Sequence, residues 1–205
     1  MILKTLIVGP LDVNCYVLGC EDTKKSAVID PGGNANVILQ EIDRLGVDVA
    51  YIICTHGHGD HIGGVDELIK ITSADLIIHS ADKDMLYDAK KNLSLYIGHS
   101  VVLESEYSTV EDGDVIKLGN LKLEILNVPG HTPGSISIRA NDVVFTGDAL
   151  FAGAIGRTDF PGGNHQQLIH SIKTKLFTLP AYTRVFPGHG SDTFIGQEMH
   201  HNPFF

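Results

Sequence analysis

Val49-Ala50-Tyr51-Ile52-Ile53-Cys54-Thr55-His56-Gly57-His58-Gly59-Asp60-His61 joins two very different chemistries in one short stretch. Its first six residues are a continuous apolar run, the pattern of a strand buried on both faces. The next seven carry three histidines and an aspartate among glycines and a threonine. A loop leaving a buried strand can curl here, because glycine tolerates the backbone angles of tight turns. Imidazole nitrogens and a carboxylate are the donors that Zn²⁺ and similar borderline cations take, at roughly 2.0–2.2 Å. The spacing argues against one ion taking all four groups. Adjacent Asp60 and His61 point differently from His56 and His58, so two neighbouring ions divide the set more easily.

Three more strand ends offer donors in the same way. Val128-Pro129-Gly130-His131-Thr132-Pro133-Gly134 sets a histidine between two Pro/Gly turns, Phe145-Thr146-Gly147-Asp148 ends on an aspartate, and Phe186-Pro187-Gly188-His189-Gly190 ends on a histidine. A lone histidine is usually structural. Four donor-bearing strand ends on one chain are not.

Outward from these motifs, β-rich runs predict strands over 2–8, 14–19 and 26–30, the last stopped by Asp30-Pro31-Gly32-Gly33. Val37, Ile38, Ile42 and Leu45 recur at helical spacing after Asn34, and Gly46 ends the helix. Leu76-Ile77-Ile78 predicts a strand, residues 81–91 a polar helix, and 92–110 a mobile surface segment of little periodicity. Strands follow over 114–118, 121–128, 135–139 and 142–146, with hairpin turns at Gly119-Asn120 and Ala140-Asn141. A helix over roughly 165–178 and a short strand at Arg184-Val185-Phe186 complete the pattern. Strands with interspersed helices, twice over, suit two sheets packed face to face with helices outside.

The 205 residues are 43% hydrophobic and 20% charged, ordinary for a chain with a sizeable core and consistent with one domain. Lys and Arg number 15 against 25 Asp and Glu, for a formal charge of −10. This balance argues against a nucleic-acid partner. The N-terminal apolar stretch is too short for a membrane span and lacks a small-residue cleavage site, so no membrane partner is expected. Cys15, Cys20 and Cys54 offer neither an even disulfide set nor a C-x-x-C pair, which predicts a reduced, cytoplasmic protein.

Together, Asn14-Cys15-Tyr16, Asp30-Pro31-Gly32, Thr55 through His61, Gly130 through Gly134, Thr146-Gly147-Asp148 and Gly188-His189-Gly190 resemble the metallo-β-lactamase superfamily. Within it they are similar to the glyoxalase II (hydroxyacylglutathione hydrolase) branch. The stretch Gly153 through Gly163 resembles that branch's small, single-domain members. The resemblance implies an α/β fold, a four-layer αββα sandwich of two mixed β-sheets flanked by helices, with the site at one edge. It implies that His56, His58 and His131 bind a first metal, that Asp60, His61 and His189 bind a second, and that Asp148 bridges both. Full-length glyoxalase II enzymes add a C-terminal helical domain for glutathione. This chain stops sixteen residues after His189, so residues 1–205 are expected to form one domain without it.

The implied cofactors are two divalent ions, zinc by preference, with iron or manganese accepted by the same donors. Such a pair makes hydroxide at neutral pH, with Asp60 orienting it, and polarises a carbonyl. A thiolate leaves without a proton donor, its thiol pKa being near ~8.5, whereas an amine needs one. The sequence offers no dedicated general acid, so the expected partner is a small-molecule thioester, S-lactoylglutathione or a relative. The cysteine that the commonest β-lactamases of the superfamily carry in place of Asp148 is absent, which argues against β-lactam cleavage.

Two other classes stay open. Persulfide dioxygenases resemble the chain through Thr55–Asp60 and Gly156–Phe160 and use one iron held by the counterparts of His56, His131 and Asp148. A metal-stabilised module without turnover is the other. Among remaining residues, Asp30 is expected to brace the metal loops, and Arg157 to pair with Asp159 or a loop carbonyl in preference to a substrate carboxylate. Asp66 and Asp159 sit beside turn residues with no evident role. His79, His99, His165, His170 and His200-His201 are read as structural or surface histidines. Lys83, Tyr87, Lys90, Lys91 and Tyr96 are read as equally suited to a substrate loop or a solvated face.

Overall fold

Alternation along the strands assigns each side chain to a layer, because successive Cβ atoms point to opposite faces of a sheet. The computed structural model describes residues 1–98 and 100–205, so His99 lies outside the described residues. In the first half β1 (Ile2–Val8), β2 (Val13–Gly19) and β3 (Lys25–Ile29) lead into α1 (Ala35–Leu45). They are followed by β4 (Asp48–Ile53), α2 (Gly59–Ile62), α3 (Val65–Thr72), β5 (Asp75–His79) and β6 (Tyr107–Val110). These six strands form one sheet in sequence order, antiparallel from β1 to β3 and parallel from β3 to β6.

The second half supplies β7 (Val115–Leu118), β8 (Leu121–Asn127), β9 (Ile136–Ala140), β10 (Val143–Gly147) and the ribbon of β11 (Leu150–Phe151) with β12 (Ala154–Ile155). It ends with α4 (His165–Ser171), β13 (Arg184–Pro187), β14 (Thr193–Phe194) and α5 (Ile195–His201). The second sheet has the order β14-β13-β10-β9-β8-β7. Its pairings make β8, β10 and β13 run in one direction, so their C-terminal ends share an edge.

Cys15 and Val17 of β2 face an outer core with Ile38 and Ile42 of α1 and Val65 and Leu68 of α3. Tyr16 and Leu18 of the same strand face the opposite way, into the layer between the sheets, where they meet Ile125, Ile138, Phe145 and Phe186. The far side of the second sheet packs Val144 and Val185 against Leu168, Ile172 and Leu176. The result is helix, sheet, sheet, helix: the expected four-layer αββα sandwich of two mixed sheets. Each such fully buried aliphatic or aromatic side chain contributes roughly 1.5–3 kcal/mol.

Several local expectations need correction. Residues 92–110 are not without regular structure: Ser94–Tyr96 form a 3₁₀ turn and β6 pairs in parallel with β5. The helix placed over 81–91 is a 3₁₀ segment, Ser80–Tyr87. The helix placed over 165–178 is α up to Ser171 and then widens into a π turn, Ile172–Leu176. The β9–β10 hairpin turns on Asn141-Asp142 rather than Ala140-Asn141, with Asn141 at φ 55°. Among the described residues no helix is long and apolar enough to cross a membrane.

Candidate metal centre

The strand β4 hands its chain to Thr55, and a buried carboxylate fixes the hand-over. Asp30 accepts from the Thr55 backbone N–H at 2.7 Å and from the Thr55 hydroxyl at 2.7 Å. Asp30 itself sits at φ 50°, a left-handed conformation that aspartate tolerates better than most residues. From there His56 and His58 project, and α2 begins at Gly59, turning Asp60 and His61 in other directions. His131 comes from the β8–β9 turn, Asp148 from the end of β10 and His189 from the end of β13. Asn14 clamps the last turn, donating from its side chain to the carbonyls of Pro187 and Gly190 at 3.0 and 2.8 Å, while the Tyr16 hydroxyl donates to Pro187 at 2.6 Å.

All seven expected donors meet at one place. His56 Nε2 and His131 Nε2 each lie 3.0 Å from His58 Nδ1. Asp60 Oδ2 lies 3.6 Å from His61 Nε2 and 3.4 Å from His189 Nε2. Asp148 stands between these sets: Oδ1 is 3.4 Å from His61 Nε2, and Oδ2 is 3.7 Å from both His131 Nε2 and His189 Nε2. Three groups of donor atoms are close enough to hold a cation: His56/His58/His131, Asp60/His61/His189, and His56/His61/Asp148.

For three of the rings, a partner on the far side fixes which nitrogen faces inward. His131 Nδ1 donates to the Arg157 carbonyl at 2.7 Å, leaving the Nε2 lone pair for the site. His61 Nδ1 donates to Asp30 at 3.0 Å. His56 Nδ1 lies 3.1 Å from the Thr55 hydroxyl, whose own proton goes to Asp30. One carboxylate, Asp30, thus orients two rings, as expected of a brace beneath metal ligands.

The electrostatics agree with ligation. Burial and the neighbouring rings of His61 and His58 hold the pKa of His56 far below its usual value. Burial and His131 push His58 down to about 3. Burial opposes ionisation of Asp148 and Asp60, but His61 and His189 outweigh it and both carboxyls fall below their ordinary range. His61 goes the other way: burial opposes its charge, yet Asp148, Asp60 and Asp30 raise its pKa well above normal. The neutral rings of His56 and His58 beside ionised Asp60 and Asp148 are the states a cation requires, while His61 and His189, whose pKa values the carboxylates raise, carry positive charge where a cation would replace their protons. Moreover, the buried Nε2 of His61 and Oδ1 of Asp148 have no hydrogen-bond partner. Such orphaned atoms cost roughly 1–3 kcal/mol each, and a cation among these donors would satisfy both. The residues fit a bound divalent metal.

The site floors a cleft of about 670 Å³ walled mainly by apolar side chains, among them Leu11, Leu93, Ile97, Phe151, Ile155 and Phe160. Lys90 and Tyr96 line it; Lys83, Tyr87 and Lys91 do not, Tyr87 bonding the Ser105 carbonyl and Lys91 pairing with Asp84. Arg157 pairs with Asp159 through two nitrogens at 3.0 and 2.7 Å and lies 4.3 Å from the Phe160 ring centroid. Asp66, for which the sequence suggested no role, fastens the Glu104–Ser105 backbone. His79 is buried against Asn127 and Glu111, while His165, His170, His200 and His201 sit on α4 and α5 away from the site. Asp82 is the functional-region residue that sequence reasoning missed: fully buried, it bonds to Gly57, Thr132 and Gly134. The available signal was its position just past β5, a strand next to β4.

Residues 8–189 match the Metallo-beta-lactamase superfamily. The chain belongs to that superfamily. A probable metallo-hydrolase, YqgX, of Bacillus subtilis is 40% identical, with 98% of this chain and 96% of that one covered. The hydroxyacylglutathione hydrolase GloC of Haemophilus influenzae is 36% identical over 100% and 98%. Among solved structures, the BLEG-1 B3 metallo-beta-lactamase superposes with TM-score 0.93 at 36% identity, covering 99% of each chain. ETHE1 from Myxococcus xanthus gives 0.83 at 34%, covering 99% and 84%. TTHA1623 in a di-iron-bound form gives 0.89 at 31%, covering 98% and 100%. The superfamily membership and the relatives named as metallo-hydrolases support reading this chain as a metal-binding hydrolase.

Proposed function

We propose that the protein is a binuclear metal-dependent hydrolase of acyl thioesters, with hydroxyacyl thioesters such as S-lactoylglutathione the expected class. The observation that carries this reading is Asp148, whose Oδ2 faces His131 of one donor set while its Oδ1 faces His61 of the other. In this reading His56, His58 and His131 hold one ion, Asp60, His61 and His189 a second, and Asp148 both. Bound there, two divalent ions would supply hydroxide at neutral pH and a Lewis acid for a carbonyl. Zinc suits the donors, and iron or manganese fits them too. The two-ion reading draws further support from the similarity to TTHA1623 in a di-iron-bound form.

The chain's own groups then set the substrate class. Asp60, part-exposed at the cleft floor, orients the attacking water. Outside the donor set, the described lining residues include no carboxyl or imidazole, and the remaining proton donors for a leaving amine, Lys90 and Tyr96, are solvent-exposed side chains. A thiolate needs no such donor. The similarity to GloC points the same way. A second reading, β-lactam hydrolysis, draws on the similarity to the BLEG-1 enzyme but must release an amine. A third, a one-iron oxygenase using His56, His131 and Asp148, leaves the assembled Asp60/His61/His189 set without a purpose.

A panel separates these readings. The metal-loaded protein is expected to hydrolyse S-lactoylglutathione or simple acyl thioesters with kcat/KM of about 10⁴ M⁻¹s⁻¹ or more. A chromogenic cephalosporin is expected to turn over at least about tenfold more slowly, and a persulfide to cause no oxygen uptake. Faster β-lactam cleavage, or oxygen uptake by a one-iron protein, would overturn the thioester assignment.

A further inference from the structure

The two turns that supply the first donor set come from different sheets. His56 and His58 follow β4 of the first sheet, and His131 follows β8 of the second. The apolar layer between the sheets holds them together without direction, because hydrophobic burial is indifferent to register. Yet three ring nitrogens must converge to about the 3.0 Å separations seen here. Directional ties are needed, and two are present: the Ile136 N–H of β9 donates to the Thr55 carbonyl at 2.8 Å, and a buried carboxylate bonds the two turns themselves.

Asp82 sits fully buried in the 3₁₀ segment after β5 and accepts three hydrogen bonds. The Gly57 N–H, between His56 and His58, donates to Oδ2 at 3.1 Å. The Thr132 hydroxyl, adjacent to His131, donates to the same oxygen at 2.6 Å, and the Gly134 N–H donates to Oδ1 at 2.7 Å. Both turns press against this segment so closely that a Cβ on Gly57 would lie 2.6 Å from Met85 Cβ, and one on Gly134 would lie 2.7 Å from Asp82 Cγ. No lysine or arginine pairs with Asp82 among the described residues, so those three donors offset the cost of burying its charge. Asp30 makes the corresponding bonds on the other side, to Thr55 and His61.

We infer that Asp82 is a positioning residue that sets the distance between the His56–His58 turn and the His131 turn, and so governs the first cation position without governing the second. The inference rests on the two-position reading above. Asp30 touches both donor sets, reaching His61 directly and His56 through Thr55, whereas Asp82 ties only the turns of the first, and the two carboxylates share no partner.

Asp82→Asn tests it, because the amide keeps the volume but offers one acceptor oxygen and opposes at least one donor with its NH₂. Crystals grown with cobalt report occupancy at each position by anomalous scattering, and chelator competition reports affinity in solution. Wild type is expected to fill both positions. In Asp82→Asn the His56/His58/His131 ion is expected to weaken about 10- to 100-fold while the Asp60/His61/His189 ion is unchanged. Equal weakening at both positions, or none at either, overturns the inference. Thr132→Val removes one of the three bonds at little change of volume and carries the test if Asp82→Asn does not fold. It should give the same one-sided loss at smaller size, and a loss shared by both positions counts against the inference. A wild-type chain with one occupied position would refute the two-ion reading. The inference then survives only if that position is the His56/His58/His131 one and Asp82→Asn empties it.

Discussion

Asp148→Ala is expected to lower kcat/KM of the metal-loaded protein for a thioester by about 10³-fold or more, equivalent to roughly 4 kcal/mol of transition-state stabilisation. Asp148 reaches His61 and His189 of one donor set and His131 of the other, so its loss both separates the sets and removes an anionic donor between them. Asp148→Asn is the control for shape. It keeps the volume and one acceptor, removes the charge, and should lose nearly as much activity while unfolding at a similar urea concentration. Steady-state kinetics at matched metal concentration decide it. Either variant retaining activity within about tenfold of wild type would mean the carboxylate is not the shared group.

The donors were legible in the sequence because each sits where an apolar strand stops on a Gly- or Pro-bearing turn. Thr55 to His61, Gly130 to Gly134, Gly147-Asp148 and Gly188-His189 carry that punctuation, and the fold gathers all of them. The sheets were legible for the same reason: apolar runs such as Val143–Gly147 hold their buried faces without help from distant residues. What the sequence hid has physical causes. The helix Val65–Thr72 buries only Val65 and Leu68, too few positions to mark a helical period. The strand Tyr107–Val110 buries one of its four residues, and its identity comes from pairing with β5. Asp82 lies in a polar stretch, and its role exists only because Gly57 and Gly134, far apart in the chain, arrive beside it. The cleft walls follow the same logic, since no spacing along the chain connects Leu11, Leu93 and Phe151.

Gly188→Ala is expected to show how tightly the centre is packed. A Cβ at this position would lie 2.2 Å from Asp148 Oδ1 and 2.8 Å from His61 Cε1, well inside contact distance. The methyl group must displace either the carboxylate or the ring. Misplacing a reacting constellation by about 1 Å costs on the order of 10²-fold in rate, so kcat/KM should fall about that far. The surrounding turn is held independently, by Asn14 and by the Gly188 N–H donating to the Gly147 carbonyl at 2.8 Å. Stability should therefore drop only by the roughly 1–3 kcal/mol typical of overpacking. Paired measurements of kcat/KM and urea unfolding test this. Full activity in Gly188→Ala would contradict the placement of Asp148 and His61 against the turn.

The number of ions held per chain bears on the account most directly. The wild-type protein, saturated with zinc and freed of excess metal, should carry two ions per chain by native mass spectrometry and elemental analysis, because its donors assemble into two sets sharing Asp148. One ion per chain at saturation would contradict it.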